Sequence, residues 1–172
     1  MYELVETCRE SVFRLEALQE YNVPGDIERY KAFRETGTVP ERPTSRSHRN
    51  TRELVDAGKR LVRVHVVDLP LTPYIEYELA AYSENLDAGE DVRITDRAAH
   101  PGLAELTEEF MLIDDGTDQP VVVWYDWSPD GQIHGWDRSD DPDDIARCRA
   151  QRYLALAHSV PLEEFRATVY HE

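Results

Sequence analysis

With 172 residues, of which 41% are hydrophobic and 9% aromatic, the chain is long enough to bury one real core and too apolar for intrinsic disorder, even at 31% charged residues. A formal net charge of -16 argues against general affinity for nucleic acid or an anionic membrane, and no apolar run approaches the roughly 20 residues that cross a bilayer. The opening MYELVETCRE has neither the basic nor the apolar region of a secretory leader, so a cytoplasmic location is expected.

In chain order, Val5, Cys8, Val12 and Leu15 recur at helical spacing and predict an amphipathic helix over residues 2–20. Asn22-Val23-Pro24-Gly25 breaks it, and a second helix follows, capped by Asp26, striped by Ile27, Tyr30 and Phe33, and ended by Gly37. Residues 39–50 read as a basic loop, after which Asn50 or Thr51 opens one or two helical turns closed by Gly58. Residues 60–67 alternate as a strand, with Val62, Val64 and Val66 on one face and Arg63 and His65 on the other. Thr72 caps the next helix, Pro73 occupies its first position, and the stripe of Ile75, Leu79, Tyr82 and Leu86 carries it to about Asp87. A short strand over 92–95 completes a βαβ unit, whose two strands should be parallel.

The second half predicts an antiparallel meander: strands over 110–113, 121–127 and 132–136, the first two joined through Asp114-Asp115-Gly116. A helix then starts at Asp140 or Asp141, with Pro142 at its first position, and runs to about His158. Residues 160–169 are expected as a last strand or an irregular tail. The fold expected is therefore one α/β domain over 1–172, a βαβ unit continued by an antiparallel β-meander with helices packed on the sheet. Within it, N-terminal helices occupy 1–38, the basic loop 39–50 and the α/β core 59–172.

Two constellations could bind something. At the carboxyl edge of the first predicted strand, Arg63 and His65 lead toward Asp68, Thr72 and Tyr74 at the start of a helix, where open α/β sheets take their ligands. On the meander, Trp124, Asp126 and His134 belong to an aromatic and acidic group that could stack a planar ligand or simply cover a sheet face. The acidic run from Asp137 to Asp144 lacks the ligand order of a calcium loop, and the six histidines show no paired spacing, so no metal and no cofactor are expected. Cys8 and Cys148 read as buried thiols. Nucleophile elbows, P-loops and dinucleotide fingerprints are missing. The segment 41–63 holds seven cations against three acids, which makes it +4 and the remainder -20. Direct nucleic-acid binding through Arg42, Arg46, Arg49 and Arg52 is disfavoured, because that segment has no aromatic residue for base stacking.

Taken in order, Phe13-Arg14-Leu15-Glu16 with Tyr21, Arg63-Val64 before the Pro70-to-Tyr74 turn, Glu78, Gly89-Glu90, the run from Glu109 to Asp115 and Trp124-Tyr125-Asp126 resemble an uncharacterised family of small actinobacterial proteins. The resemblance spans roughly residues 11–162, and Met111 stands where that family usually has an aromatic. It implies a setting beside helix-turn-helix regulators of the XRE type and no established activity. The order of elements is also similar to half of a phospholipase D-like fold. Such enzymes need His-x-Lys-x-x-x-x-Asp, whereas Lys31 and Lys59 follow Arg29 and Ala57 by two positions, so that chemistry is excluded.

The function expected first is a non-catalytic binding or accessory protein, with a protein partner such as an XRE-type regulator and Arg63 in the binding site. The alternative is an enzyme acting on a small anionic or planar metabolite. Geometry separates them: an enclosed cavity joining the Arg63/His65 face to the aromatic meander favours the enzyme, a flat exposed patch the partner.

Overall fold

The computed structural model describes residues 2–41 and 45–170. Arg42, from the basic loop, lies outside that range. Seven strands form one mixed sheet: β1 (Ser11–Glu16), β2 (Arg60–Val67), β3 (Asp91–Asp96), β4 (Phe110–Ile113), β5 (Val121–Trp127), β6 (Ile133–Ser139) and β7 (Val160–Pro161), in the spatial order β6-β5-β4-β1-β2-β3-β7. β1, β2 and β3 are mutually parallel, and β4, β5, β6 and β7 each run antiparallel to the neighbour nearer the centre. The expected α/β domain with its βαβ unit and meander is what forms.

The largest departure lies at the N-terminus. In place of one helix over 2–20 there is a five-residue α1 (Tyr2–Glu6) followed by β1, the central strand. The residues Ser11 to Glu16 also alternate, so two periods compete over the same stretch. The sheet decides, because β1 gains a hydrogen-bonded neighbour on each side and buries Phe13 and Leu15 on one face and Val12 on the other.

The helices follow the expected punctuation with three adjustments. α2 (Ile27–Thr36) ends at Gly37 in the left-handed conformation, but the Asp26 side chain makes no capping bond. α3 (Arg46–Asp56) begins four residues before Asn50, because the Ser45 hydroxyl accepts from the His48 amide and closes its first turn. The helix expected to reach Asp87 is two pieces, α4 (Pro73–Ala81) and α5 (Ser83–Asp87), divided at Tyr82. α6 (Pro142–His158) forms as expected with Asp141 at its N-cap, and the last segment is β7 followed by α7 (Leu162–Val169), not a long strand.

One sheet face packs Phe13, Leu15, Val64, Val66, Phe110, Leu112 and Val122 against Ile145, Cys148 and Ala155 of α6. On the opposite face, α4 and α7 cover Val92 and Ile94 of β3. α1 and α3 cover the ends of β1 and β2 around Cys8, Val12, Leu54 and Leu61. Both cysteines are buried thiols, and burial pushes Cys148 up to about 12, so neither is poised as a nucleophile. Between these covers, over the centre of β1, the sheet face stays open.

Candidate functional site

That opening is a cavity of about 470 Å³ whose floor is β1, β2 and β4, with α4 on one side and the end of β5 on the other. Its floor is charged because the strand register makes it so. Arg14 of β1 and Arg63 of β2 are register partners and project side by side, a like-charge pair that needs an acid between them. Glu16, two residues along β1 on the same face, supplies it: Oε1 lies 2.9 Å from Arg14 Nε and 2.8 Å from Arg63 Nη1. Arg63 Nη1 also reaches Glu16 Oε2 at 2.9 Å, and Nε bonds Glu90 Oε1 at 3.1 Å. Burial opposes ionisation of Glu16, but the charges of Arg14 and Arg63 outweigh it and hold the carboxyl well below its ordinary value.

Behind this trio sits His65, fully buried, on β2. Its Nε2 is 2.8 Å from the Leu18 carbonyl, and its Nδ1 is 2.9 Å from the Tyr82 hydroxyl and 3.4 Å from Glu78 Oε2. Tyr82 donates to Glu16 Oε2 at 2.7 Å. Burial lowers the His65 pKa, and burial together with the neighbouring Glu16 charge raises that of Glu78 well above the usual carboxylate range. Glu109, just before β4, accepts from the Ala17 and Leu18 amides at 2.8 and 2.9 Å and from the Tyr21 hydroxyl, which fixes the loop after β1 against the cavity. A second clamp acts on that loop. Gly131, in the β5–β6 turn with φ +77°, accepts from the Asn22 amide, and a Cβ there would stand 2.7 Å from the Glu20 carbonyl oxygen.

Aromatic side chains form the walls. Tyr21 meets Trp127 edge-on at 5.1 Å and Tyr74 at 5.8 Å, Tyr74 meets Tyr77 at 5.7 Å, and Arg14 lies over the Tyr125 ring at 5.0 Å. Tyr125 and Trp127 stand two residues apart on β5, so both reach the cavity from the same face of one strand. Trp127 Nε1, Arg14 Nε and Glu78 Oε2 are buried without a hydrogen-bond partner, although all three side chains line the cavity; the nearest nitrogen to Glu78 Oε2 is His65 Nδ1. Buried polar groups are nearly always satisfied, so Trp127 Nε1 and Arg14 Nε mark where a bound molecule belongs.

Of the residues singled out in the sequence, Arg63 and Tyr74 line the cavity and His65 lies just behind it. Thr72 caps α4, accepting from the Ile75 amide at 3.1 Å and donating to the Gln19 carbonyl at 2.8 Å. Asp68 is exposed and pairs with Arg97 at 2.8 Å. Trp124 faces the other side of the sheet, packed on Phe110 with Arg147 over its ring at 4.4 Å. Asp126 and His134 are exposed on the hairpin. Arg14, Glu16, Tyr21, Glu78, Tyr82, Glu90 and Glu109 were not singled out as site residues, yet a signal existed: Arg14 and Glu16 stand among Val12, Phe13 and Leu15, and charges inside an apolar strand need buried partners.

Among the described residues, Glu16, His65 and Glu78 offer oxygen and nitrogen atoms within 4.8 Å of one another, as a metal site would. Glu16 does not fit that use. Its carboxylate already accepts two hydrogen bonds from Arg63 and one from Tyr82, and with the Arg14 Nε 2.9 Å away a metal cation there would face two guanidinium charges at once.

Fold and site together define an α/β domain with a ligand-sized cavity floored by a buried, internally paired charge cluster. The chain belongs to the family described as Domain of unknown function (DUF6879), whose model matches residues 1–167. No curated protein and no solved structure matches it.

Proposed function

We propose that this chain takes a small, planar, largely uncharged polar molecule into its cavity, and that it acts on that molecule as an enzyme. The observation that carries the reading is the cavity itself. Its volume falls within the roughly 300–1,000 Å³ typical of small-molecule sites, and it joins Arg63 to Tyr125 and Trp127 of the meander. Buried ionisable groups with shifted pKa values concentrate at such sites. The pairing of charges narrows the ligand. Arg63 is hydrogen-bonded to Glu16 and Glu90 and Arg14 is ion-paired with Glu16, so an anion would compete with buried acids for both, whereas the Tyr and Trp walls suit a flat ring.

The test is a thermal-shift screen of the whole chain against nucleobases, nucleosides, amino acids, phosphorylated metabolites and divalent metals. A ligand at 100 times its Kd stabilises by about 2.7 kcal/mol, roughly 5–10 °C for a domain of this size. Ala81 lines the cavity from α4, and Ala81→Phe should fill it. A shift of that size, abolished by Ala81→Phe, supports the reading. A flat response, or a shift that survives the substitution, overturns it.

A second reading, an accessory protein that docks on another protein such as an XRE-type regulator, is supported by β6. It is an edge strand, with Ile133 and Trp136 each 44% exposed. Trp136→Ser, at a residue outside the cavity, should abolish capture of such a partner while leaving any ligand-induced thermal shift intact.

A further inference from the structure

The hydrogen bonds behind the cavity do not close without one more proton. A carbonyl oxygen only accepts, so the contact to Leu18 places a hydrogen on His65 Nε2. Tyr82 has a single hydroxyl hydrogen. It goes to Glu16, because the acceptor there is a carboxylate held ionised by two arginines, and the 2.7 Å separation is shorter than the 2.9 Å to His65. His65 Nδ1 then faces two oxygens, Tyr82 Oη and Glu78 Oε2, with no hydrogen supplied by Tyr82. Two bare lone pairs packed together in a dry interior repel, so a hydrogen must sit either on Nδ1 or on the Glu78 carboxyl.

We infer that Glu78 and His65 hold this one proton between them, and that Glu78, whose side chain lines the cavity, exchanges it with a basic ring nitrogen of a bound planar heterocycle. The inference rests on the cavity reading above and names its ligand class. Transfer balances simply. The Glu78 O–H bond breaks, an N–H bond forms on the ring, and the products are a carboxylate facing a heterocyclic cation, with the total charge of the site unchanged. Glu78 is the group that touches the ligand, and His65 is a positioning residue that fixes the carboxyl from behind.

The surroundings favour the proton on Glu78 at rest. From β1 and β2, Glu16, Arg14 and Arg63 face the pair, and from α4 and the flanking loops so do Tyr74, Tyr82, Tyr21 and Glu109. Burial, the largest effect on both groups, opposes a charge on Glu78 and on His65 alike and outweighs the pull of Glu16 and Glu109 toward an imidazolium and of Arg14 and Arg63 toward a carboxylate, and the tyrosines are pushed above their ordinary values by burial, so they keep their protons. Linkage follows with a definite sign. A carboxyl whose folded pKa is raised stabilises the fold most below its unfolded pKa, and that contribution fades as pH rises toward the folded value.

Carbon-13 NMR of the side-chain carboxyl carbons, with nitrogen-15 spectra of the His65 ring, tests this on the whole chain; Glu78→Gln identifies the Glu78 signal by its disappearance. At pH 7 the expected result is a protonated Glu78 beside a neutral His65 carrying its hydrogen on Nε2. A Glu78 carboxylate beside a His65 imidazolium also supports the single shared proton. A Glu78 carboxylate beside neutral His65 overturns it. Zinc that moves both signals and stabilises the chain overturns it in favour of a metal centre.

Imidazole, whose ring nitrogen is basic enough to take a proton from a carboxyl of raised pKa, is then the probe for transfer. It should move the Glu78 signal toward the carboxylate position in the native chain and leave it unchanged in Ala81→Phe. If it leaves Glu78 unmoved while another compound gives a cavity-dependent thermal shift, the transfer to a ring nitrogen is overturned and the cavity reading stands. If nothing gives such a shift, the cavity reading itself falls.

Discussion

The two faces of the central strands differ by one residue of register and by almost everything else. Phe13, Leu15 and Val64 point toward α6 into an apolar core, whereas Arg14, Glu16, Arg63 and His65, their immediate neighbours in sequence, point the other way. The apolar face is stabilised by burial alone, at roughly 25 cal/mol per Å² removed from water. The charged face must provide every buried ion with a partner, and such networks seldom stabilise a fold better than apolar side chains of the same shape. The contrast assigns stability to one face and, on the proposed function, ligand chemistry to the other.

The severest way to break that comparison is to unpair the charges. Glu16→Ala leaves Arg14 and Arg63 facing each other without their shared acid and should cost about 3–5 kcal/mol in urea unfolding. That loss equals or exceeds what a large core truncation such as Leu112→Ala, about 2–5 kcal/mol, does to the opposite face. A milder experiment sharpens the contrast. Replacing the whole cluster, Arg14→Met with Glu16→Leu, Arg63→Met and Glu90→Gln, should be neutral or stabilising by about 1–4 kcal/mol while abolishing any ligand-induced thermal shift. A quadruple variant as unstable as Glu16→Ala alone would mean that the charges serve the fold. Smallest of all, Thr72→Ala removes the cap of α4 and should cost about 1 kcal/mol, with the Glu78 and His65 NMR signals unmoved.

Much of this architecture was legible beforehand. The β-branched run 60–67, the Thr72-Pro73 start of α4 and the Asp141-Pro142 start of α6 are local signals, and local structure obeyed them. β1 was not legible as a strand, because its residues satisfy a helical stripe as well, and only pairing with β2 and β4 breaks the tie. The site was half legible. Arg63 and His65 stood out on an alternating strand, but the meander aromatics that share a cavity with Arg63 are Tyr125 and Trp127, not Trp124, since side chains alternate across β5 and only one set faces the cavity. Glu78, Glu90 and Glu109 were quoted in the family resemblance without a role. Acids are so abundant in this chain that nothing short of their convergence separates them from solvated ones.

By itself, then, the sequence determined the class, the βαβ unit, the meander and most helix ends, because capping, turn chemistry and side-chain alternation act over a few residues. Tertiary structure alone decided that Ser11–Glu16 is the central strand, that residues as far apart as Glu16, Arg63 and Glu78 share one buried cluster, and that the open sheet face becomes a cavity. Those outcomes depend on which strands become neighbours and which face each helix covers, and no window of local sequence contains that information.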